Sequence, residues 1–268
     1  MKTKNQSFQN KTENITTVSF FSILTITLIC LLVAFISISK GADRIDSTEY
    51  HIITKAEENQ QEGKYKSALT TYNHLIRKNN NNKDALYQRA ECKKQLGKYQ
   101  LAINDYVKYI KITGDSLTGL KQIALTILKA GNDPFEVIEV CDMALAKNRD
   151  DADVIYYKGV AQYEAGMYED AKYTLLNAID MKSDRVDAYK YLGLVYGAMK
   201  QYNKAIATTE KIIAINNNDA GAYYNLGLFY NHLSDYHHAY MNINNAVELG
   251  YKVDQKIYKK LYRKQKKQ

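Results

Sequence analysis

Apolar and polar positions fall into two regimes along the chain. The run that begins at Val18 and ends at Ile38, VSFFSILTITLICLLVAFISI, holds 21 residues without a charge. As a helix it spans about 31 Å, the depth of a bilayer core, so this pattern predicts a transmembrane helix. A cleaved signal peptide has an apolar region of only ~7–15 residues, which favours an uncleaved anchor, although Ser37 and Ser39 are small enough to border a cleavage site. Beyond residue 48 the chain reads instead as a succession of helices of about 13 residues, separated by short turns containing Gly, Lys or Asp. At the far end Val253, Ile257 and Leu261 stand at i, i+4 and i+8, one apolar stripe on an otherwise basic helix.

A longer period lies over the helical one. Tyr65, Tyr99, Tyr168, Tyr202 and Tyr236 are spaced by 34, 69, 34 and 34, and each is followed three residues later by an alanine: Ala68, Ala102, Ala171, Ala205 and Ala239. A second series of small residues, Ala56, Ala90, Ala124, Gly159, Gly193 and Gly227, advances by 34, 34, 35, 34 and 34. Three series with one period predict stacked supersecondary units, each a helix pair that cannot bury its apolar face alone. Antiparallel helices approach to about 8–10 Å only where the contact carries little side chain, so Gly193 and Ala205 are expected to be such a contact.

In residues 189–196 (Tyr189, Leu192, Gly193, Tyr196) and 223–230 (Tyr223, Leu226, Gly227, Tyr230) the pattern resembles the tetratricopeptide repeat (TPR). The resemblance covers six units. It implies an all-α fold: a right-handed superhelical solenoid of about six helix pairs plus a C-terminal capping helix, preceded by one transmembrane helix. The expected boundaries are a basic tail (1–17), the transmembrane helix (18–38), a linker (39–48), repeat units at about 49–82, 83–116, 117–151, 152–185, 186–219 and 220–253, and a basic capping helix with its tail (254–268). The proline that commonly ends such units is absent. Asn-rich runs, KNNNNKD and INNNDA, are expected to make the turns by bonding their own backbone. In unit three, Asp133, Pro134 and Glu136 read as a helix start.

The resemblance also implies a function: a protein or peptide partner held on the inner face of the superhelix, which first helices line. The positions it selects are Tyr156, Val160, Tyr163, Lys190, Leu194, Gly197, Tyr224, Leu228 and Asn231, with Tyr258 and Tyr262 added by the capping helix. The first half presents Asp84, Glu91, Lys94 and Gln95 and is more polar. Gly197 has no counterpart in the small-residue series and is expected to leave a shallow place between tyrosines. The carboxylate clamp of one TPR subtype is not expected, because Leu194 stands where it would need Asn.

Charge sharpens the picture. The chain carries a formal +8, but residues 1–17 hold +2 and residues 251–268 hold +7, which leaves −1 for the body. A neutral body disfavours nucleic acid; the C-terminal lysines read as a solvated tail or as a contact for anionic lipid. Lys and Arg counts on the two sides of the apolar run tie, so only Asp43, Asp46 and Glu49 favour a cytoplasmic N-terminus with the repeat domain on the other side. Cys30, Cys92 and Cys141 have no short-range pairing and suggest neither disulfide framework nor zinc ribbon.

Two strings resemble catalytic chemistry. Gly114-Asp115-Ser116-Leu117 looks like the nucleophile block of GDSL esterases, with Asp235 and His238 as its acid and base. In a solenoid these lie several units apart, while a nucleophile and base need about 3 Å, so Asp115 or Ser116 is expected to cap a helix instead. His232, His237 and His238 lack the i, i+4 spacing of a helical zinc site. The expectation is a membrane-anchored, non-enzymatic scaffold or adaptor without cofactor or metal. A self-assembling component of a membrane complex is the alternative.

Overall fold

The computed structural model describes residues 47–267, which form thirteen helices and no strand. The expected membrane anchor, with Cys30 and the basic tail, lies outside the described residues. Among the described residues no helix is long and apolar enough to cross a membrane. The chain divides into two units, residues 1–61 and 62–268. The described part of the first is one helix, α1 (Ser47–Gln61).

The second unit runs from α2 (Tyr65–Lys78) through five helix pairs: α3 (Lys83–Gln95) with α4 (Tyr99–Thr113), α5 (Ser116–Ala130) with α6 (Pro134–Leu145), α7 (Ala152–Glu164) with α8 (Tyr168–Met181), α9 (Val186–Ala198) with α10 (Tyr202–Ile215), and α11 (Ala220–His232) with α12 (Tyr236–Glu248). It ends in α13 (Gln255–Gln265). From α3 onward each helix packs on the one before it; in addition α5 touches α7 and α7 touches α9. First helices therefore form one layer and second helices back it, which is solenoid packing.

The periodic residues have distinct jobs. Each tyrosine of the 34-residue series is the first residue of a second helix, and the alanine three places on is fully buried in every case. The three glycines of the other series face the second helices of their own repeats. A Cβ on Gly159 would stand 2.8 Å from Leu175 Cγ, and one on Gly227 would stand 2.5 Å from Ile243 Cγ1 and 3.1 Å from the Ala239 carbonyl oxygen. A Cβ on Gly193 would meet Thr209 Oγ1 at 2.9 Å and the Ala205 carbonyl oxygen at 3.7 Å, so the expected contact with α10 is there.

Turns inside the repeats follow a series that the sequence conceals. Gly63, Gly97, Gly131, Gly166, Lys200 and Ser234 all adopt positive φ, at steps of 34, 34, 35, 34 and 34. Left-handed backbone suits glycine because a Cβ there crowds the following carbonyl; the last two repeats do without it. Turns between repeats are made otherwise. Asn79 and Asn216 are extended, not left-handed, and their side-chain oxygens accept the amides of Asn81 (3.0 Å) and Asn218 (3.1 Å). The next helices are capped by Asn82, which accepts from the Ala85 amide at 3.0 Å, and Asp219, which accepts from the Ala222 amide at 2.9 Å. Asp133 caps α6 with Pro134 at its first turn.

Cys92 and Cys141 are buried free thiols. Burial, aided by Glu91 and Asp142 respectively, pushes them up to about 11 and about 12. Unreactive packing residues are the result.

Candidate functional site

The first-helix layer of α7, α9 and α11 carries most of the selected positions, and the structure sorts them into groups. Tyr156 and Tyr163, two turns apart on α7, flank Tyr191 of α9, with ring centroids 6.1 and 5.8 Å from it and interplanar angles of 67° and 70°. Such edge-to-face contacts are each worth about 0.5–1.5 kcal/mol beyond area burial. Arg185, just before α9, lies 4.6 Å over the Tyr156 ring and pairs with Asp153, which also binds Lys121 at 2.6 Å. Tyr168 closes the row on Tyr163 at 5.9 Å. Burial raises the hydroxyls of Tyr156, Tyr163 and Tyr191 above their ordinary value, so at neutral pH they are uncharged groups able to donate a hydrogen bond.

Beside this row Lys190 is exposed, and Leu194, Leu228 and Asn231 are partly exposed. Tyr224 turns toward the C-terminal end, stacking on Tyr251 at 4.6 Å. Four positions differ from expectation. Val160 is only 4% exposed and belongs to the core, so it has no side chain to offer a ligand. The space over Gly197 is not a shallow place in a groove: a Cβ there would come 2.6 Å from Cε1 of Phe229, whose ring from α11 fills it. Tyr258 and Tyr262 are taken up by the second-helix layer. The Tyr258 hydroxyl donates to Asn244 Oδ1 at 2.8 Å and lies 3.1 Å from the Tyr240 hydroxyl, while the Tyr262 ring packs 5.6 Å from that of Tyr240.

Tyr191, Arg185 and Phe229 are the residues that sequence reasoning missed. Tyr191 had a signal, since it follows Tyr157 by one 34-residue step. Arg185 and Phe229 have no aromatic or basic counterpart one repeat earlier, at Asp151 and Val195.

The corresponding face of α3 is chemically different. Lys94, 4% exposed, donates to Glu91 Oε1 and Gln122 Oε1, both at 2.8 Å, and the Tyr106 hydroxyl donates to Glu91. On another side of α3, Arg89 grips Asp105 in a bidentate pair at 2.7 and 2.8 Å and donates to Asn73 at 3.0 Å; Lys93 joins Asp105 at 2.6 Å. Asp84 and Gln95 are exposed.

The catalytic strings do not converge. The Asp115 side chain accepts the Thr118 amide at 3.1 Å and so caps α5, and the Ser116 hydroxyl contacts the Gly114 carbonyl at 3.4 Å. Asp235 accepts the His238 amide at 3.1 Å and pairs with its Nδ1 at 2.7 Å, as the cap of α12. The packing partners of α5 are α4, α6 and α7, so no proton path joins Ser116 to His238. His232 stacks on Tyr202 at 4.7 Å, and among the described residues no cluster of His, Cys, Asp and Glu could hold a metal ion.

A layered helix-pair array with a half-buried aromatic row on its first-helix face defines an α-solenoid repeat protein. The family profile described as tetratricopeptide repeat matches three of its segments, residues 83–116, 187–219 and 220–249. Solved structures agree on the fold. A MamA protein is 27% identical over 62% of this chain and 91% of its own, with a TM-score of 0.55. A tetratricopeptide repeat protein from Parabacteroides merdae is 18% identical, covering 83% of this chain and 86% of its own, with a TM-score of 0.62. YrrB, described as a TPR protein with an unusual peptide-binding site, is 15% identical over 73% of this chain and 97% of its own, with a TM-score of 0.55. No curated protein matches the sequence.

Proposed function

We propose that the protein is a membrane-anchored, non-enzymatic adaptor that binds an extended peptide or protein segment on the first-helix face of units four to six. The observation that carries this reading is the row Tyr156–Tyr191–Tyr163, fixed by mutual edge contacts and by Arg185, beside the partly exposed Leu194 and Leu228 and the exposed Lys190. Rigid amphipathic rings give contact area at small entropic cost, and apolar neighbours exclude water from a bound chain. YrrB, of the same fold, is described as binding peptide, and that description supports the class of ligand. Anchoring rests on the apolar run of residues 18–38, with the N-terminus in the cytoplasm and the repeats across the membrane.

The test uses side chains that the core does not need. A variant carrying Lys190→Glu, Leu194→Ser and Leu228→Ser should lose partner recovery from native membranes by about tenfold or more while keeping its helical signal. Unchanged recovery would count against this face.

A further inference from the structure

We propose that α13 docks flat on an anionic lipid surface through a face built from Lys256, Lys259, Lys260, Arg263, Lys264 and Lys267. These residues recur at steps of three, one, three, one and three, which places them on one side of the helix, and together they border a single shallow recess. The other side is committed: Ile257 and Leu261, with Val253 just before the helix, pack in the cluster of Ala239 and Ile243. Asp254 fixes the start by accepting the Lys256 amide at 2.7 Å. The helix therefore cannot roll its cations away, and they form a row about 16 Å long. None of the six makes an ion pair among the described residues; Lys264 rests instead 4.1 Å over the Tyr236 ring. Unpaired like charges held side by side repel, which opposes folding, and an external polyanion would relieve that repulsion.

The geometry favours lipid among polyanions. Binding of single-stranded nucleic acid to a basic row usually adds aromatic stacking, and here Tyr258 and Tyr262 are engaged with Tyr240. An acidic peptide gains specificity from side-chain pockets, and the recess is shallow and one helix wide. Headgroups move laterally and gather under a fixed row of cations, each of which adds roughly fivefold in affinity at low salt. The apolar run of residues 18–38 also brings the chain to a bilayer; the choice of lipid, though not the existence of an anion-binding face, rests on that part of the proposed function.

Hydrogen exchange of the α13 amides in the full chain reads the docking directly. Vesicles of phosphatidylcholine mixed with phosphatidylglycerol should slow that exchange about tenfold at low salt, high salt should restore it, and phosphatidylcholine alone should leave it unchanged. Replacing all six cations by Gln, a comparable helix former, should abolish the lipid effect. A triple variant, Lys256→Gln, Lys259→Gln and Lys260→Gln, should show part of it even if the larger change loosens the helix. Equal exchange with both lipids, or protection that survives six-fold replacement, would overturn the proposal. So would stronger protection by soluble poly-glutamate than by vesicles, which would assign the face to an acidic protein. Failure of the anchor is a separate result: the chain would then not float with phosphatidylcholine vesicles, whatever α13 does.

Discussion

In α3 the first-helix register holds Glu91 and Lys94; one full repeat or more later the same register holds Val160 and Tyr163 in α7, Leu194 and Gly197 in α9, and Leu228 and Asn231 in α11. The backbone is the same, but the chemistry is not. In the first half the polar groups are turned on one another, with Lys94, Glu91, Gln122 and Tyr106 bonded into a closed set. A buried ion pair of this kind adds little net stability, yet it leaves nothing over for a ligand. In the second half the rings of Tyr156, Tyr163 and Tyr191 satisfy each other only at their edges and keep hydroxyls to offer. Binding capacity in this fold thus depends on which side chains remain incompletely satisfied, and that separates the two halves.

The comparison can be broken most forcefully in the first half. Glu91→Ala should leave the Lys94 charge buried and unpaired and cost about 3–5 kcal/mol, read as the shift of the urea transition. The double change Glu91→Leu with Lys94→Met should recover most of that loss, and a small effect of the single change would show that water already reaches Lys94. In the second half, packing should dominate. Gly227→Ala pushes a Cβ onto Ile243 and toward the Ala239 carbonyl and should cost about 1–3 kcal/mol; Gly193→Ala, facing a movable Thr209 hydroxyl, should cost less.

Alkaline pH acts on the first half with two opposite signs. Burial first, and Glu91 second, raise Tyr106 above its ordinary 10.0. The unfolded chain releases that proton near 10.0 while the folded chain keeps it, so the contribution is complete below this value and is lost as pH rises beyond it. Lys94 acts in the opposite sense: burial lowers it from 10.5, the unfolded chain binds the extra proton, and stability rises with pH up to that value. Denaturation midpoints should therefore fall above about pH 10.5, and Tyr106→Phe should flatten the fall. The smallest effect is a gain. Lys200→Gly and Ser234→Gly, at left-handed positions where earlier repeats have glycine, should each stabilise by about 0.5–1 kcal/mol, measured by thermal melting; a loss would mean the side chains there contribute more than the strain costs.

The repeat fold was legible because the tyrosine, alanine and small-residue series are set by helix contacts that recur every 34 residues. The candidate face was legible only in part. Period alone assigns a residue to a register, not to a degree of burial, so Val160 and Gly197 were placed on the face although neighbouring side chains cover them. The same limit hid Tyr191, whose role depends on two rings from the first helix of the preceding repeat. The left-handed turn series was obscured because Lys200 and Ser234 stand where glycine would have advertised it.

Site-specific photocrosslinking in native membranes tests the central claim most directly, with one probe at Lys190 on the second-half face and another at Gln95 on the first-half face, both exposed. The account predicts a discrete partner adduct from position 190 that Leu194→Ser with Leu228→Ser abolishes, and none from position 95. Adducts of equal yield from both positions, or from position 95 alone, would contradict it.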